Sequence, residues 1–447
     1  MPIGEERLLS VADDALALPD VSGVEVVLMA NDEALTRFAE STIHQNVARA
    51  DGEARVRVVL SGGRVGVAAT NVLQPDAVEA AARQAREAAQ SAPANHEFAG
   101  LAPRASYEPA GVYDEATAQC SPAQRAAIVV DTVHELPRGV VVAGAVQTRC
   151  DEFAVVNTNG VRGYAIGTRA GLSVLASGAD SSGYAEDVTQ RVDDLDPHAL
   201  VRDAVRKVEL GAQPRDVDPG AYAVVLESGA VNTLISWLGY VAFPAKAVAE
   251  GRSVLCRRMN EQVCSPLVTI ADDALSDALP GVPFDFEGTP KRRVAFIEGG
   301  VARAVAHDRT TAARAGTEST GHALPAPNPE GGIPLHLVMD AGTTSEEDLV
   351  SGVERGLYVT RFHYTNLVHP VTATLTGMTR DGTFLIEDGK LVGGVRNLRF
   401  TQPILAALET TQAVGRAART ATDLFFGASR APSLRLGHFT FTSTTSF

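Results

Sequence analysis

Residues 227–251 of the chain read ESGAVNTLISWLGYVAFPAKAVAEG and follow an apolar segment at 221–226 that is typical of a short strand. A serine, a glycine and an asparagine near the start of this stretch are typical of the beginning of a helix. Apolar residues then recur every three or four positions, at Val231, Leu234, Ile235, Leu238, Val241 and Ala242. This spacing predicts a core helix over 228–250, with one buried face, around which the rest of the chain is organised.

The centre of the predicted helix offers little chemistry. It consists of Ser236, Trp237, Leu238, Gly239, Tyr240 and Val241, with no histidine, carboxylate or cysteine. A packed helix that follows a strand fixes the direction of its side chains and is therefore a good place for catalytic groups. However, no G-x-S-x-G motif surrounds Ser236 and no base lies near it in the sequence, which argues against a serine nucleophile.

Length and composition predict a folded protein of two or three domains. The chain has 447 residues, 45% of them hydrophobic, and its formal net charge of -15 argues against a nucleic-acid surface. No apolar run approaches the roughly 20 residues that a membrane span needs, and the acidic start is unlike a signal peptide. The four cysteines form no C-x-x-C pair, so we expect reduced thiols and a cytoplasmic protein.

Residues 1–215 predict an N-terminal α+β domain with two rounds of antiparallel sheet and helix. Alternating strands are predicted at 23–30, 34–40, 54–60, 64–71, 140–149, 153–157, 162–168 and 172–177. Asn31-Asp32 and Asn159-Gly160 occupy positions of hairpin turns. Helices are predicted at 76–90, 122–136 and 197–210. The proline-containing segment near 91–120 indicates either a crossing segment or a break between two subdomains.

After a linker at 213–220, residues 216–447 predict a C-terminal β-rich domain, either a sandwich or a barrel-like sheet, that contains the helix at 228–250. Its strands are predicted at 267–271, 293–298, 301–306, 335–340, 356–362, 371–378, 383–387 and 390–395. Glycine-containing turns at 298–300, 380–382 and 387–389 indicate hairpins. The proline- and glycine-rich segment 322–334 predicts an irregular loop on the surface or beside a site.

Two polar segments outside the helix are candidates for chemistry. His134-Glu135 lacks the second histidine of a zinc helix and is followed by Pro137, so we interpret it as a helix end. The segment 361–370 holds four polar side chains, His363, Tyr364, Asn366 and His369. Three interpretations of it stay open: a hydrogen-bonded strand end, a substrate contact, or a metal site if a turn brings the histidines together. These patterns alone name no function.

Several segments spread along the chain share one resemblance. The N-terminal ones are RFAESTIHQN at 37–46, RVR at 55–57 and GGRVGVAATN at 62–71. Further ones are the strand and helix at 222–249, GLYVT at 356–360 and GMTRDGTFLIEDG at 377–389. Together they resemble the TldD/PmbA family of metallopeptidases, also called modulators of DNA gyrase, over nearly the whole chain.

The resemblance implies a two-domain protein that works as a dimer. In the catalytic kind of subunit, the helix carries H-E-x-x-x-H, with two histidines for zinc and a glutamate that activates water, and the C-terminal domain adds a further ligand. The motif falls here on Ser236, Trp237 and Val241. Serine is a poor zinc ligand, and tryptophan and valine offer no lone pair. The chain therefore resembles the other kind of subunit, TldE or PmbA, which pairs with a catalytic subunit.

This resemblance implies that the chain itself carries no catalytic residue and no metal, and that zinc is held by a catalytic TldD-like partner. The heterodimer would degrade or trim unfolded or leader peptides, without a nucleic-acid or membrane partner. We expect substrate-binding side chains beside the vestigial motif, at Trp237, Tyr240, His363, Tyr364, Asn366 and His369. Two alternatives stay open: an active metal-dependent hydrolase with a site at His363 and His369, and a non-catalytic peptide-binding homodimer.

Overall fold

A single antiparallel sheet forms the N-terminal part of the protein. The computed structural model describes residues 2–134, 136–422 and 427–445, so Glu135 of the predicted helix end lies outside the described residues. The strands are β1 Gly23–Ala39, β2 Thr42–Leu60, β3 Arg64–Thr70, β4 Val141–Asn157, β5 Arg162–Ser177 and β6 Ser182–Thr189. They lie in the order β3-β2-β1-β4-β5-β6. The β1–β4 pairing joins the two predicted rounds of strands into one sheet.

Strands β1, β4 and β5 each combine two of the predicted short strands. The hairpin turn predicted at Asn31-Asp32 is wrong, because both residues lie within β1. Asn31 pairs with Asp51 of β2 on one side and with Asp151 of β4 on the other. Ladder hydrogen bonds on both sides satisfy the backbone and override the local turn preference. The turn at Asn159-Gly160 is confirmed, between β4 and β5, with Gly160 at a φ of 88°.

Helices pack on this sheet, among them those predicted at 76–90, 122–136 and 197–210. They are α1 Glu5–Ser10, α2 Asp13–Leu16, α3 Pro75–Ser91, α4 Glu115–Ala118, α5 Pro122–Val133 and α6 Pro197–Gly211. Helix α3 approaches β3 so closely that a Cβ on Gly66 would lie 2.0 Å from the carbonyl oxygen of Ala85. Helix α6 approaches β6 in the same way, since a Cβ on Gly183 would lie 2.1 Å from the carbonyl oxygen of Ala204.

Over its described residues, the C-terminal part is a mixed sheet of 11 strands that closes on itself. Its strands are β7 Gly220–Leu226, β8 Ile270–Asp272, β9 Val294–Glu298, β10 Val301–Ala302, β11 His336–Met339, β12 Arg355–His369, β13 Thr374–Glu387, β14 Lys390–Gly394, β15 Leu398–Pro403, β16 Thr411–Thr422 and β17 Ala428–Thr444. Strand β7 pairs with β12 and also with β17, which completes the circuit β7-β12-β13-β15-β17. The predicted α+β class with a barrel-like C-terminal sheet is confirmed.

Two of the three predicted C-terminal hairpin turns are confirmed. Gly299 and Gly300 connect β9 to β10, and Asp388 and Gly389 connect β13 to β14, with positive φ at all four residues. The turn predicted at 380–382 is wrong, because these residues lie inside β13. Pairing with β12 continues on both sides of them, with a register shift opposite, so the local turn signal produces a bulge instead of a reversal.

The helix predicted over 228–250 is two helices separated by a break. The C-terminal helices are α7 Ser228–Val241, α8 Ala245–Ala249, α9 Arg309–Ala315, α10 Glu346–Ser351 and α11 Ile404–Glu409. Pro244 ends the first of them, since proline lacks the backbone donor and disfavours helical backbone at the residue before it. Helix α7 lies at the centre of the largest hydrophobic core, with Leu234, Ile235 and Leu238 fully or almost fully buried. Among the described helices, none has the length and apolarity to span a bilayer.

Buried ion pairs join the two sheets. Arg57 on β2 donates to Glu25 Oε1 of β1 at 2.6 Å and to Glu287 Oε1 of the C-terminal part at 3.2 Å. All three side chains are at least nine-tenths buried. Arg309 continues this contact: its backbone amide donates to Glu287 Oε2, and its guanidinium donates to the carbonyls of residues 99 and 100.

A second buried polar cluster lies beneath the irregular loop at 322–334. Asp272 accepts the backbone amide of His336 at 2.8 Å, and its Oδ1 lies 3.6 Å from Lys291 Nζ and 3.4 Å from His322 Nε2. Lys291 Nζ also lies 3.3 Å from His336 Nδ1. Burial, and then the neighbouring Lys291, lower the pKa of His336 to about 3. This imidazole is therefore neutral in the folded protein at neutral pH.

Replacement of His336 by asparagine is expected to flatten the dependence of stability on pH. The unfolded chain protonates this imidazole below about pH 6.5, whereas the folded chain does so only near pH 3. Stability is therefore present above pH 6.5 and lost as the pH falls, by up to about 1.4 kcal/mol per pH unit for one group. Urea unfolding of wild type and His336→Asn at pH 7, 6 and 5 measures the slope.

The exposed His438 provides the matched control for this measurement. His438→Asn removes an imidazole that lies at the surface, outside the buried cluster of Asp272 and Lys291, and should retain the wild-type slope. Parallel curves for wild type and His336→Asn would contradict the prediction, even if the variant is less stable at every pH.

Candidate functional site

The central residues of α7 are packed into the protein interior. Ser236 is 3% exposed, and its hydroxyl lies 3.5 Å from the hydroxyl of Ser429 on β17. Val241 is 6% exposed and belongs to the main hydrophobic core. Gly239, between them, lets β11 approach, since a Cβ there would lie 2.6 Å from Leu337 Cδ1. The positions of the two expected histidines therefore hold a buried hydroxyl and an aliphatic group.

Trp237 connects α7 to β12. Its indole Nε1 donates to Thr365 Oγ1 at 3.1 Å, and its ring meets Tyr240 edge-on at a centroid distance of 6.5 Å. Trp237 is 9% exposed, whereas Tyr240 is 38% exposed. The indole therefore fills the position of the expected glutamate as a packed, hydrogen-bonded ring, and Tyr240 carries the aromatic surface outward.

The remaining predicted site residues follow one another along the end of β12. His363 and Tyr364 have ring centroids 4.6 Å apart, and the Tyr364 side chain is 72% exposed. Asn366 Nδ2 donates to the carbonyl of Tyr364 at a long 3.4 Å, and His369 Nδ1 lies 3.2 Å from Thr372 Oγ1. These contacts join Trp237 with Tyr240 and Thr365, and the polar residues with their own strand neighbours.

The two histidines of β12 do not come together. His363 pairs with Met378 and His369 pairs with Thr374, four residues apart on β13. At a rise of about 3.3 Å per residue, this register places the backbones of the two histidines about 13 Å apart, so both side chains would have to extend fully towards one metal ion. The sequence-based alternative of a joint metal site at these histidines stays a prediction that this spacing does not favour. Over residues 2–134, 136–422 and 427–445, no three His, Cys, Asp or Glu residues are grouped to hold a metal.

The end of β12 presents an open strand edge. Strand β12 pairs with β13 along its length, but with β7 only over residues 356–359. Within the described part of the chain, its second edge at 363–369 pairs with no strand. Exposed apolar side chains accompany this edge, at Tyr364, Val368 and Val371. Burial, followed by Arg380 and Arg361, lowers the pKa of His363, so the edge carries a neutral imidazole at neutral pH.

A buried network at the beginning of α7 was missed by the sequence patterns. Lys207 Nζ of α6 donates to Asp203 Oδ2 at 2.9 Å and to Glu227 Oε2 at 2.8 Å. The hydroxyl of Tyr358 on β12 donates to Glu227 Oε1 at 2.7 Å and contacts Glu346 Oε1 at 2.9 Å. These residues are far apart in the sequence. Tyr358 belongs to the GLYVT segment at 356–360 and Glu227 to the strand and helix at 222–249, but neither segment indicated that the two residues meet.

The fold and site define an α+β protein of two sheets in which the central helix α7 carries no histidine, cysteine or carboxylate. Family profiles match the chain in three consecutive pieces. They are the PmbA/TldA metallopeptidase domain 1 at 24–89, the central domain at 113–211 and the C-terminal domain at 219–443. The last of these alone spans half of the sequence. The chain belongs to the PmbA/TldD metallopeptidase family.

Individual relatives agree with this assignment. The crystal structure of TldE from Thermococcus kodakarensis has the same fold, with a TM-score of 0.87 and 20% identity over 98% of this chain and 99% of that chain. The metalloprotease TldD homolog of Buchnera aphidicola is 24% identical over 48% of this chain and 44% of its own length. A metalloprotease of Archaeoglobus fulgidus is 28% identical over 44% and 46%, respectively. The matched segments thus span less than half the length of these two curated relatives.

Proposed function

We propose that this chain is the non-catalytic, TldE-like partner subunit of a zinc peptidase that degrades or trims unfolded peptides. The observation that carries the proposal is the packing of Ser236, Trp237 and Val241. A buried hydroxyl, an indole and an isopropyl group occupy the positions of the family's histidine, glutamate and histidine. None of these groups binds zinc or activates water. In this proposal the zinc belongs to a TldD-like partner in a heterodimer, and four free cysteines fit its action in the cytoplasm.

The proposed contribution of this chain is to hold peptide next to the partner's metal. The unpaired edge of β12 at 363–369 offers backbone donors and acceptors to an extended peptide. Tyr240 and Tyr364 are exposed aromatic side chains, suited to contact apolar peptide side chains. His363, Asn366 and His369 add polar groups along this edge. Trp237 supports the surface from beneath through its bond to Thr365.

Mixing the purified chain with a TldD-type subunit that carries an intact H-E-x-x-x-H motif tests the proposal. Alone, the chain is expected to contain no stoichiometric zinc by elemental analysis and to leave fluorescently labelled unfolded casein intact. The mixture should form a complex by size-exclusion chromatography and cleave the casein. Replacing both motif histidines of the catalytic subunit with alanine should abolish this cleavage, because the metal belongs to that subunit.

Substitutions of two exposed tyrosines distinguish a role in peptide contact from a general effect of changing the surface. Tyr364→Ser should slow cleavage by the mixture, whereas Tyr113→Ser, at a 41% exposed position, should not. Stoichiometric zinc in the isolated chain, or chelator-sensitive cleavage by it, would contradict the proposal. A stable homodimer that binds casein but never joins the catalytic subunit would instead support the peptide-binding homodimer.

A further inference from the structure

A polar cavity lies between the two sheets, at the beginning of α7 and away from the residues of the vestigial motif. It has a volume of about 240 Å³ and is lined by α6, β6, β12, β16 and the first turn of α7. Four carboxylates and four cationic side chains contribute to its walls. Sites for drug-sized ligands measure about 300 to 1,000 Å³, so this cavity fits a smaller molecule. Its mixed charge favours a ligand that carries both signs.

The first turn of α7 supplies the part of the cavity that attracts an anion. Ser228 and Gly229, the first two residues of this 14-residue helix, line the cavity. The N-cap residue Glu227 makes no side-chain hydrogen bond to the first turn, because its carboxylate is held by Lys207 and Tyr358 instead. The backbone N–H groups of the first turn lack an intrahelical acceptor, and the helix dipole adds positive potential there. A carboxylate is a suitable partner for this turn.

Asn232, one turn further along α7, supplies an unused acceptor. Its side chain lines the cavity and is 3% exposed. The amide Nδ2 donates to the carbonyl of Arg419 at 3.1 Å, which fixes the orientation of the side chain. Its Oδ1 has no hydrogen-bond partner among the described residues. Buried polar atoms are almost always paired, so this oxygen requires a donor that the described chain does not provide.

The cavity therefore places a carboxylate-binding turn and a free acceptor on one face of one helix. Residues three and four positions apart on a helix lie about 5–6 Å from each other, a span that one small molecule bridges. Glu346, whose carboxylate lies 2.9 Å from the hydroxyl of Tyr358, adds an acidic group to the wall. We propose that this cavity binds a free α-amino acid, with its carboxylate at the first turn of α7 and its ammonium group at Asn232 Oδ1. This site is separate from the peptide surface proposed above.

Isothermal titration calorimetry of the full chain tests this proposal with three probes. L-alanine carries both groups, propionate only the carboxylate, and ethylamine only the ammonium. L-alanine should bind saturably, and each of the other two should bind at least roughly tenfold more weakly, because each loses one charge-assisted set of hydrogen bonds. Equal affinity for L-alanine and propionate would overturn the zwitterion assignment, as would the absence of saturable L-alanine binding.

Two variants locate the binding. Asn232→Leu removes the acceptor at similar volume and should weaken L-alanine roughly tenfold or more, while leaving propionate unchanged. Arg419→Gln, at an exposed position lining the cavity, should weaken propionate and L-alanine together. Asn71→Leu, in an exposed bend, is the control and should change neither. If Asn232→Leu fails to fold, Arg419→Gln and the series of three probes still test the proposal. L-alanine binding that both variants leave unchanged would overturn the proposal.

Discussion

Replacement of Arg57 by methionine is expected to lower the free energy of unfolding by about 3–5 kcal/mol, the usual effect of removing one partner of a buried ion pair. The guanidinium is the cation between Glu25 and Glu287, at 2.6 and 3.2 Å. Methionine keeps much of the side-chain volume but leaves both buried carboxylates without their counter-charge. Chemical denaturation at pH 7 measures the change.

The cost of this substitution should depend on pH. Burial raises the pKa of Glu25, and Arg57 offsets this only in part. Without the guanidinium, the pKa of Glu25 should rise further, so the folded variant gains a proton that the unfolded chain lacks above about pH 4.5. Its stability should consequently fall as the pH rises, and the difference from wild type should be larger at pH 8 than at pH 5.

Arg49→Met is the matched control for Arg57→Met. Arg49 lies on the same strand and pairs with Glu33 at 3.4 Å, but its side chain is 61% exposed. Exposed pairs contribute about 0–1 kcal/mol, so this variant should stay close to wild type. Equal losses of stability in the two variants would contradict the importance of burial. A negligible loss of stability in Arg57→Met would show that the carboxylates find other partners.

Replacement of Lys207 by methionine is expected to lower the free energy of unfolding by a similar amount, again about 3–5 kcal/mol. The ammonium is 1% exposed and lies 2.9 Å from Asp203 and 2.8 Å from Glu227. Burial alone would raise the pKa of Asp203, but Lys207 and then Arg206 outweigh it and hold the pKa below its ordinary value. The substitution therefore removes the cation that the carboxylates of Asp203 and Glu227 share between α6 and the start of α7.

The neighbouring Arg206 provides the control. It also pairs with Asp203, at 2.9 Å, but its side chain is 54% exposed. Arg206→Met should cost no more than about 1 kcal/mol, because water screens its charge. Urea unfolding monitored by tryptophan fluorescence suits this comparison, since the single tryptophan lies on α7. A loss in Arg206→Met as large as in Lys207→Met would contradict the prediction.

Local patterns predicted the type of most elements better than their extent. Helices α3 and α6 begin and end within a residue or two of the predicted bounds, because proline and capping residues act locally. Strand β1 continues through Asn31-Asp32 because partners on both sides decide it, and β13 continues through Asp381-Gly382 for the same reason. The break at Pro244 has a local cause and was predictable from the sequence, because proline regularly ends a helix.

The sequence by itself determined which chemical groups stand at the centre of α7. The identities of Ser236, Trp237 and Val241 exclude the zinc motif there, because no packing gives an indole or an isopropyl group a lone pair for a metal. The resemblance of the chain to the TldD/PmbA family likewise followed from sequence segments alone, spread in order along the chain.

Only the tertiary structure decided which distant groups meet. It separates His363 from His369 along one extended strand, and it brings Lys207, Glu227 and Tyr358 together from three different elements. It also leaves Asn232 Oδ1 without a hydrogen-bond partner among the residues that the structure describes, in a cavity between the two sheets. The physical reason is that side-chain chemistry is a property of each residue, whereas distance and burial depend on long-range strand pairing and packing that local sequence does not encode.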